Sequence, residues 1–151
     1  IENELKVFKN KVFYIHTGNN TIDIVLNSKM NVAQYHKITC TINAKITEKI
    51  DISDMDLSVI LGNLIDNAIE AALKEENKNI HIQISQIKEV LVIKIINSYS
   101  GERIIFETAK DNSLLHGIGL KSVKHLVNKY NGLFSIELEN NCVIALVTIE
   151  Y

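Results

Sequence analysis

The sequence is poor in the features that mark several large classes of protein. Its 151 residues contain no proline, and 18 acidic against 16 basic residues give a formal net charge of −2. The basic residues are scattered along the chain, which argues against a nucleic-acid-binding surface or a polybasic membrane patch. No apolar run approaches the roughly 20 residues that cross a bilayer, and there is no signal peptide.

Cysteine is also scarce, since only Cys40 and Cys142 are present. Each lies in a predicted strand, and neither has a second cysteine or a histidine at metal-ligand spacing. We therefore expect two buried free thiols, which fits a reducing cytoplasm.

The length of the chain, without low-complexity segments or repeats, most economically gives one domain with a substantial core. The first residue is Ile1 rather than Met. We therefore expect a fragment or a processed product, whose missing upstream part could be membranous.

The first 14 residues, IENELKVFKNKVFY, carry Ile1, Leu5, Phe8 and Val12 at spacings of four, three and four. This spacing predicts one apolar seam on a helix, either the tail of a coiled coil or a packed helix. After the turn-like HTGNN, Asn20 is the expected N-cap of a second helix.

The rest of the chain alternates between strand and helix patterns. KITCTINAKI predicts a half-buried strand, and Ser53 with Asp56 resembles a capping box that opens the next helix. NIHIQISQIKEVLVIKIIN predicts two strands, and a long polar loop extends from about Ser98 to His116. A helix from about Ile118 to Tyr130 and a final hairpin complete the chain. Five strands and three core helices predict an α/β two-layer sandwich with a mixed sheet.

Two amides stand out on the helix that contains LGNLIDNAIEAALK. At about 100° per residue, Asn63 and Asn67 lie together along one border of a broad apolar stripe. The stripe consists of Leu57, Ile60, Leu61, Leu64, Ala68, Ala71 and Ala72. A border position lets the amides reach a ligand, although solvated or loop-capping asparagines would show the same pattern.

Two further segments carry candidate ligand-binding residues. HGIGLKSVKHL places two glycines immediately before a helix, where free backbone N–H groups suit a phosphate, although a helix-capping turn explains them equally well. In IINSYSG, an apolar strand ends in Asn97, which either reads the edge of a ligand or forms a turn.

The order of these motifs resembles the ATP-binding domain of sensor histidine kinases, in the superfamily shared with DNA gyrase, heat-shock chaperones and mismatch-repair ATPases. NLIDNA resembles the N box, HGIGL the second glycine box, and the loop between them the ATP lid. The resemblance implies a Bergerat-type ATP-binding fold, with residues 17–151 as the catalytic domain. Residues 1–16 would be the end of a dimerisation or coiled-coil helix.

The resemblance also implies roles for individual residues, with ATP and Mg²⁺ as the cofactors. Asn67 would bind Mg²⁺ through its amide oxygen, and Asn63 would support the metal site or hydrogen-bond a nucleophile. Asn97 stands where the family usually has the Asp that accepts from the adenine amino group, and this neutral acceptor implies weaker ATP binding. The expected nucleotide-binding residues of the second glycine box and the lid are Lys110, His116, Gly117, Ile118, Gly119 and Leu120.

A finer resemblance, in YIHTGNNTIDIVLNSK, NLIDNAIEA, IINS and HGIGL, is to quorum-sensing kinases of the accessory-gene-regulator type. It implies a cytoplasmic domain of a membrane homodimer, a dimerisation domain with the phosphoacceptor histidine upstream of Ile1, and a response regulator as partner.

Alternative functions remain open at this point. Gyrase-like and chaperone-like relatives have a Glu at the place of Asn63 that activates water, whereas an Asn cannot take a proton at neutral pH. A histidine kinase is therefore favoured over a hydrolase. An anti-sigma-factor-type serine kinase and a nucleotide-free interaction module with the same fold are the alternatives.

Overall fold

A computed structural model of the protein describes residues 6–8, 14–101 and 118–151. These ranges contain three helices: α1 (Asn20–Tyr35), α2 (Asp54–Ala72) and α3 (Ile118–Lys129). They also contain six strands: β1 (Lys6–Phe8), β2 (Thr39–Lys45), β3 (Asn79–Ile87), β4 (Val90–Ser98), β5 (Leu133–Glu139) and β6 (Cys142–Glu150).

The strands form one mixed sheet in the order β1-β2-β3-β4-β6-β5. Only β2 and β3 run parallel among the described strands, because α2 connects them as a crossover. The predicted two-layer α/β sandwich with a five-stranded mixed sheet and three helices is confirmed, and β1 is a short sixth strand added at its edge.

The prediction of a helix over the first 14 residues is wrong for Lys6–Phe8. These three residues form a strand that pairs antiparallel with β2, with Lys6 opposite Ile42 and Phe8 opposite Cys40. The apolar spacing in this segment predicted a helix, but the free edge of β2 offers backbone hydrogen-bond partners to a strand. Such partners override a short helical pattern. The other residues of the predicted helix before Tyr14 lie outside the described part of the chain.

The core lies between the sheet and the helices. Helix α2 lies between α1 and α3 and packs on β3 and β4, with its predicted stripe buried except for the half-buried Ala71. Ile65 and Ile69, which the predicted stripe omitted, are also buried. This wider apolar face is what a central helix requires, since both neighbouring helices and the sheet cover it.

The two cysteines differ. Cys40 faces the core, and its burial raises the pKa of the thiol to about 12. Cys142 is only half-buried, so the prediction of two buried thiols is wrong for it. It lies next to buried Val143 in β6, where alternate residues face the helices and the open face of the sheet.

Residues with positive φ lie in the turns that connect two of the antiparallel strand pairs. Lys88 has φ 55° between β3 and β4, while Asn140 and Asn141 have φ 50° and 60° between β5 and β6. Two consecutive residues with positive φ fit a two-residue hairpin turn, and asparagine tolerates this region better than most residues. The predicted hairpin at Asn140 and Asn141 is present.

The loop before α1 is anchored by side chains of that helix. The buried carboxylate of Asp23 accepts hydrogen bonds from the backbone N–H of Thr17 at 2.7 Å and from its hydroxyl at 2.6 Å. The N-cap is Asn19, whose side chain accepts from Ile22 N, rather than the expected Asn20. Gly18, with φ 105°, completes the turn, so the HTGNN segment is structural.

Candidate functional site

The middle of α2 meets the first turn of α3 at Asn63 and Gly119. A Cβ atom at Gly119 would stand 2.9 Å from Oδ1 and 3.3 Å from Cγ of Asn63. A side chain at this position would force the Asn63 amide or the α3 backbone to shift, so glycine permits the close approach that is seen. The structure thus brings together one residue of each predicted motif, the asparagine pair and the glycine pair.

Asn67 lies one turn further along α2 and is half-buried, as Asn63 is. Neither side chain makes a hydrogen bond with another residue in the described part of the chain. Asp66, between them in sequence, instead forms an ion pair with Lys29 of α1 at 2.7 Å. Among the described residues the two amides therefore have no competing partner, while the Asp66 carboxylate joins two helices.

Asn97, near the end of β4, is buried at 3% exposure, whereas Asn63 and Asn67 are half-buried. It belongs to the alternating set in β4 that faces the helices. Its amide nitrogen donates to the carbonyl oxygen of Ser98 at 3.1 Å. No described residue donates to its Oδ1, and a buried polar atom without a partner is costly unless a ligand or water satisfies it.

The end of β4 lies near the C-terminal end of α2. The backbone N–H of Ser100 donates to Glu75 Oε1 at 3.0 Å, and Asn79 N donates to Ser98 Oγ at 3.2 Å. Asn97 therefore lies near the C-terminal end of α2. Asn67 is one turn closer to that end than Asn63 is. The three amides and Gly119 are consistent with one elongated ligand, with the α3 turn at one end and Asn97 at the other.

The remaining predicted residues divide into two groups. Lys110, His116 and Gly117 lie outside the described residues. Ile118 and Leu120 lie in the first turn of α3, where the Ile118 side chain is 87% exposed and the Leu120 side chain is buried in the core. The buried Leu120 side chain belongs to the core, so its backbone N–H group is the part that the resemblance implies for a ligand.

A cleft of about 350 Å³ opens between α1 and α2 on the other side of Asn63. Its wall includes Ile24, Val59 and Gly62, together with the Lys29–Asp66 ion pair. Asn63 therefore lies between this cleft and the first turn of α3.

Sequence reasoning missed a polar cluster at the far end of the α2–α3 contact. Asp56 accepts from Lys129 Nζ at 2.7 Å and from the Tyr130 hydroxyl at 2.6 Å, and these bonds, that of Lys129 first, lower the pKa of its carboxyl to about 2. The Tyr130 hydroxyl also accepts from the backbone N–H of Ser53 at 3.2 Å. Ser53 caps α2 as predicted. In a capping box the third residue satisfies the N–H of the cap, whereas here Tyr130 does so.

Among the described residues, no three side chains of His, Cys, Asp or Glu cluster as a metal site. A metal in this region would thus depend on amide oxygens and on oxygens of a ligand. Mg²⁺ fits such a donor set, since it commonly takes one or two protein oxygens, phosphate oxygens and water. Asn63 and Asn67 both offer an amide oxygen without a partner among the described residues, and Asn67 is the one for which the resemblance implies this role.

The family model described as the GHKL domain matches residues 52–150. This range contains α2, β3, β4 and α3, and with them all three amides. The chain belongs to the GHKL family. Two curated sensor kinases support this assignment over the GHKL region. One is a probable C4-dicarboxylate sensor kinase of Halalkalibacterium halodurans, which is 30% identical over 57% of this chain. The other is the sensor histidine kinase DpiB of Escherichia coli, which is 33% identical over 58% of this chain. The chain covers 18% of the length of each relative.

Solved structures agree with this GHKL fold. The catalytic domain of the histidine kinase ThkA has a TM-score of 0.68 at 21% identity, covering 97% of this chain and 95% of that one. The histidine kinase AdeS of Acinetobacter baumannii also has a TM-score of 0.68, at 16% identity, covering 99% of this chain and 68% of that one. The chain therefore has the fold of a histidine kinase catalytic domain. No helix of the described residues is long and apolar enough to cross a membrane.

Proposed function

We propose that this GHKL domain is the catalytic domain of a bacterial two-component sensor histidine kinase, which binds Mg-ATP and donates the γ-phosphate to a histidine outside this chain. The observation that carries the proposal is the buried Oδ1 of Asn97, which lacks a donor among the described residues. The adenine amino group is a donor of the kind this oxygen requires.

The positions along α2 give the proposed orientation of the nucleotide. Asn97 accepts a hydrogen bond from the adenine, and the phosphates lie toward the first turn of α3, where Gly119 admits a close backbone approach. Backbone N–H groups in the first turn of a helix have no partner within the helix, so they bind phosphate oxygens. Asn67, one turn from Asn63, is the proposed Mg²⁺ ligand. Bound Mg²⁺ would neutralise charge on the phosphates.

Asn63 favours phosphoryl transfer over hydrolysis. It faces the first turn of α3, where the phosphates would lie, and its amide cannot act as a general base. ATP bound here would therefore persist until an acceptor histidine arrives. An anti-sigma-factor-type serine kinase would use the same site with a different acceptor. A nucleotide-free interaction module would leave Oδ1 of Asn97 unsatisfied or hydrated.

The partners that we propose lie outside the chain. They are a dimerisation domain with the phosphoacceptor histidine and a response regulator, with the domain on the cytoplasmic side of a membrane homodimer. The motif resemblance supports an accessory-gene-regulator type of quorum-sensing kinase, with residues 17–151 as the catalytic domain. The curated relatives are named as sensor kinases, which supports the wider assignment.

Calorimetric titration with a non-hydrolysable ATP analogue, with and without Mg²⁺, tests the proposal. We expect saturable binding that strengthens with Mg²⁺. A second arm incubates the chain with ATP labelled at the γ-phosphate. We expect no phosphohistidine, because the proposed acceptor lies upstream of Ile1. Absence of nucleotide binding would contradict the proposal, and acid-labile phosphate on this chain alone would contradict the proposed position of the acceptor.

A further inference from the structure

Ser53, Asp56 and Tyr130 form a clasp between the start of α2 and the end of α3. The Tyr130 hydroxyl donates to Asp56 at 2.6 Å and accepts from the backbone N–H of Ser53 at 3.2 Å. The hydroxyl thus donates its proton and accepts through its oxygen, and both bonds go to the N-terminal end of α2. Lys129 adds an outer ion pair to Asp56, with 56% of its side chain exposed.

The clasp lies at one end of the packed contact between α3 and α2. At the other end of α3, Gly119 abuts Asn63. The start of α3 meets the middle of α2, and the end of α3 meets the start of α2. Helix α3 is therefore antiparallel to this part of α2. Between them, Leu120, Val123 and Val127 are buried. Such apolar packing resists separation of the helices, but it is less directional than a hydrogen bond.

Because the two contacts are far apart, a small rotation of α3 that follows a change at the clasp displaces Gly119. Gly119 and Tyr130 are 11 residues apart in the sequence, which corresponds to about 16 Å along a helix. The apolar contact lies between the two ends, so each end is about 8 Å from it, and a rotation on the order of 7° shifts an end of α3 by about 1 Å. Misplacement by about 1 Å is enough to weaken a site that depends on close contacts.

We propose that Tyr130 and Asp56 are positioning residues of the nucleotide site, which hold the first turn of α3, through Gly119, against Asn63. The inference rests on the proposed function, since it gives these residues a role in seating the phosphates. Neither residue touches the nucleotide. They act through the angle at which α3 presents its N–H groups.

Tyr130→Phe tests the inference because it removes only the hydroxyl. NMR titration of the labelled chain gives the affinities for a Mg-bound ATP analogue and for adenosine. We expect the affinity for the ATP analogue to fall by about fivefold while that for adenosine stays unchanged. We also expect the Gly119 amide signal to shift in the nucleotide-free chain. A purely structural role would leave the ratio of the two affinities and this signal unchanged.

Lys129→Met is the matched control, because it removes the outer ion pair and leaves the hydroxyl bonds in place. We expect it to keep the wild-type ratio of affinities. Asp56→Asn and Asp56→Ala form a second comparison, which also serves if Tyr130→Phe does not fold. The Asn retains an oxygen that accepts from Tyr130 and should keep the ratio, whereas the Ala should lower it.

The outcomes separate the inference from the proposed function. The inference alone would be overturned if the wild-type chain binds the Mg-bound analogue and a folded Tyr130→Phe or Asp56→Ala variant keeps the wild-type ratio of the two affinities. A wild-type chain that binds no nucleotide would overturn the proposed function and the inference with it.

Discussion

Gly119 and Gly62 offer two glycine-to-alanine substitutions with opposite expected results. At Gly119, the added Cβ would stand 2.9 Å from Asn63 Oδ1, so the Asn63 amide must move by several tenths of an ångström. At Gly62, in the middle of α2, the nearest atom to an added Cβ is Lys29 Cε at 3.8 Å, which is an ordinary contact.

The expected magnitudes follow from these distances. In a helix interior, alanine is favoured over glycine by about 0.8 to 1 kcal/mol, so Gly62→Ala should raise the free energy of unfolding by about 0.5 to 1 kcal/mol. Crowding in a packed site costs about 1 to 3 kcal/mol, which at Gly119 offsets the propensity gain or exceeds it. Gly119→Ala should therefore leave stability unchanged or lower it by up to about 2 kcal/mol.

Binding of a Mg-bound ATP analogue separates the two variants. Gly119→Ala displaces the Asn63 amide and pushes α3 away from it, so we expect affinity to fall tenfold or more, at about 1.4 kcal/mol per decade. Gly62→Ala should bind as the wild type does. Urea unfolding and calorimetric titration give the two quantities. Wild-type affinity in Gly119→Ala would refute the argument that this contact belongs to a nucleotide site.

Two further predictions concern Asn67 and Asp56. Asn67→Ala should weaken Mg²⁺-dependent nucleotide binding tenfold or more, since it removes the proposed metal ligand, and equal affinity in a calorimetric comparison would exclude that role. The pKa of Asp56 is about 2 against an ordinary 3.8. Its contribution to stability is thus complete above about pH 4 and is lost as the pH falls toward 2. Allowing for solvent screening around Lys129, the loss is about 1 to 2 kcal/mol. Urea unfolding at a series of pH values should show this loss of stability in the wild type but not in Asp56→Asn. An equal loss in the wild type and the variant would contradict the assignment of the loss to Asp56.

Much of the fold was predictable from the sequence because local patterns and tertiary packing agree. The alternation in β2 and the apolar stripe of α2 match the burial in the structure. The first strand was not predictable, because Lys6–Phe8 gains its partners from β2, which is distant in sequence. A short segment carries too little periodicity to decide between a helix and an edge strand.

The candidate site was predictable in its residue types but not in its contacts. The border position of Asn63 and Asn67 follows from helical geometry alone. The contact between Asn63 and Gly119 joins residues from two helices, so no spacing rule indicates it. The clasp was missed for the same reason, because the capping box pointed to a local bond and Tyr130 comes from the end of α3.

The most direct test of the proposed nucleotide site is the preference for ATP over GTP in Asn97→Asp. A carboxylate accepts the hydrogen bond of the adenine amino group more strongly than an amide does, by roughly a factor of two, whereas GTP presents a carbonyl at that position. Because burial of the new charge opposes binding of both nucleotides, the ratio is a better measure than either affinity. Calorimetry on Asn97→Asp and the wild type should show a higher ratio of ATP to GTP affinity in the variant. Parallel changes for both nucleotides would contradict the proposed position of the adenine at Asn97.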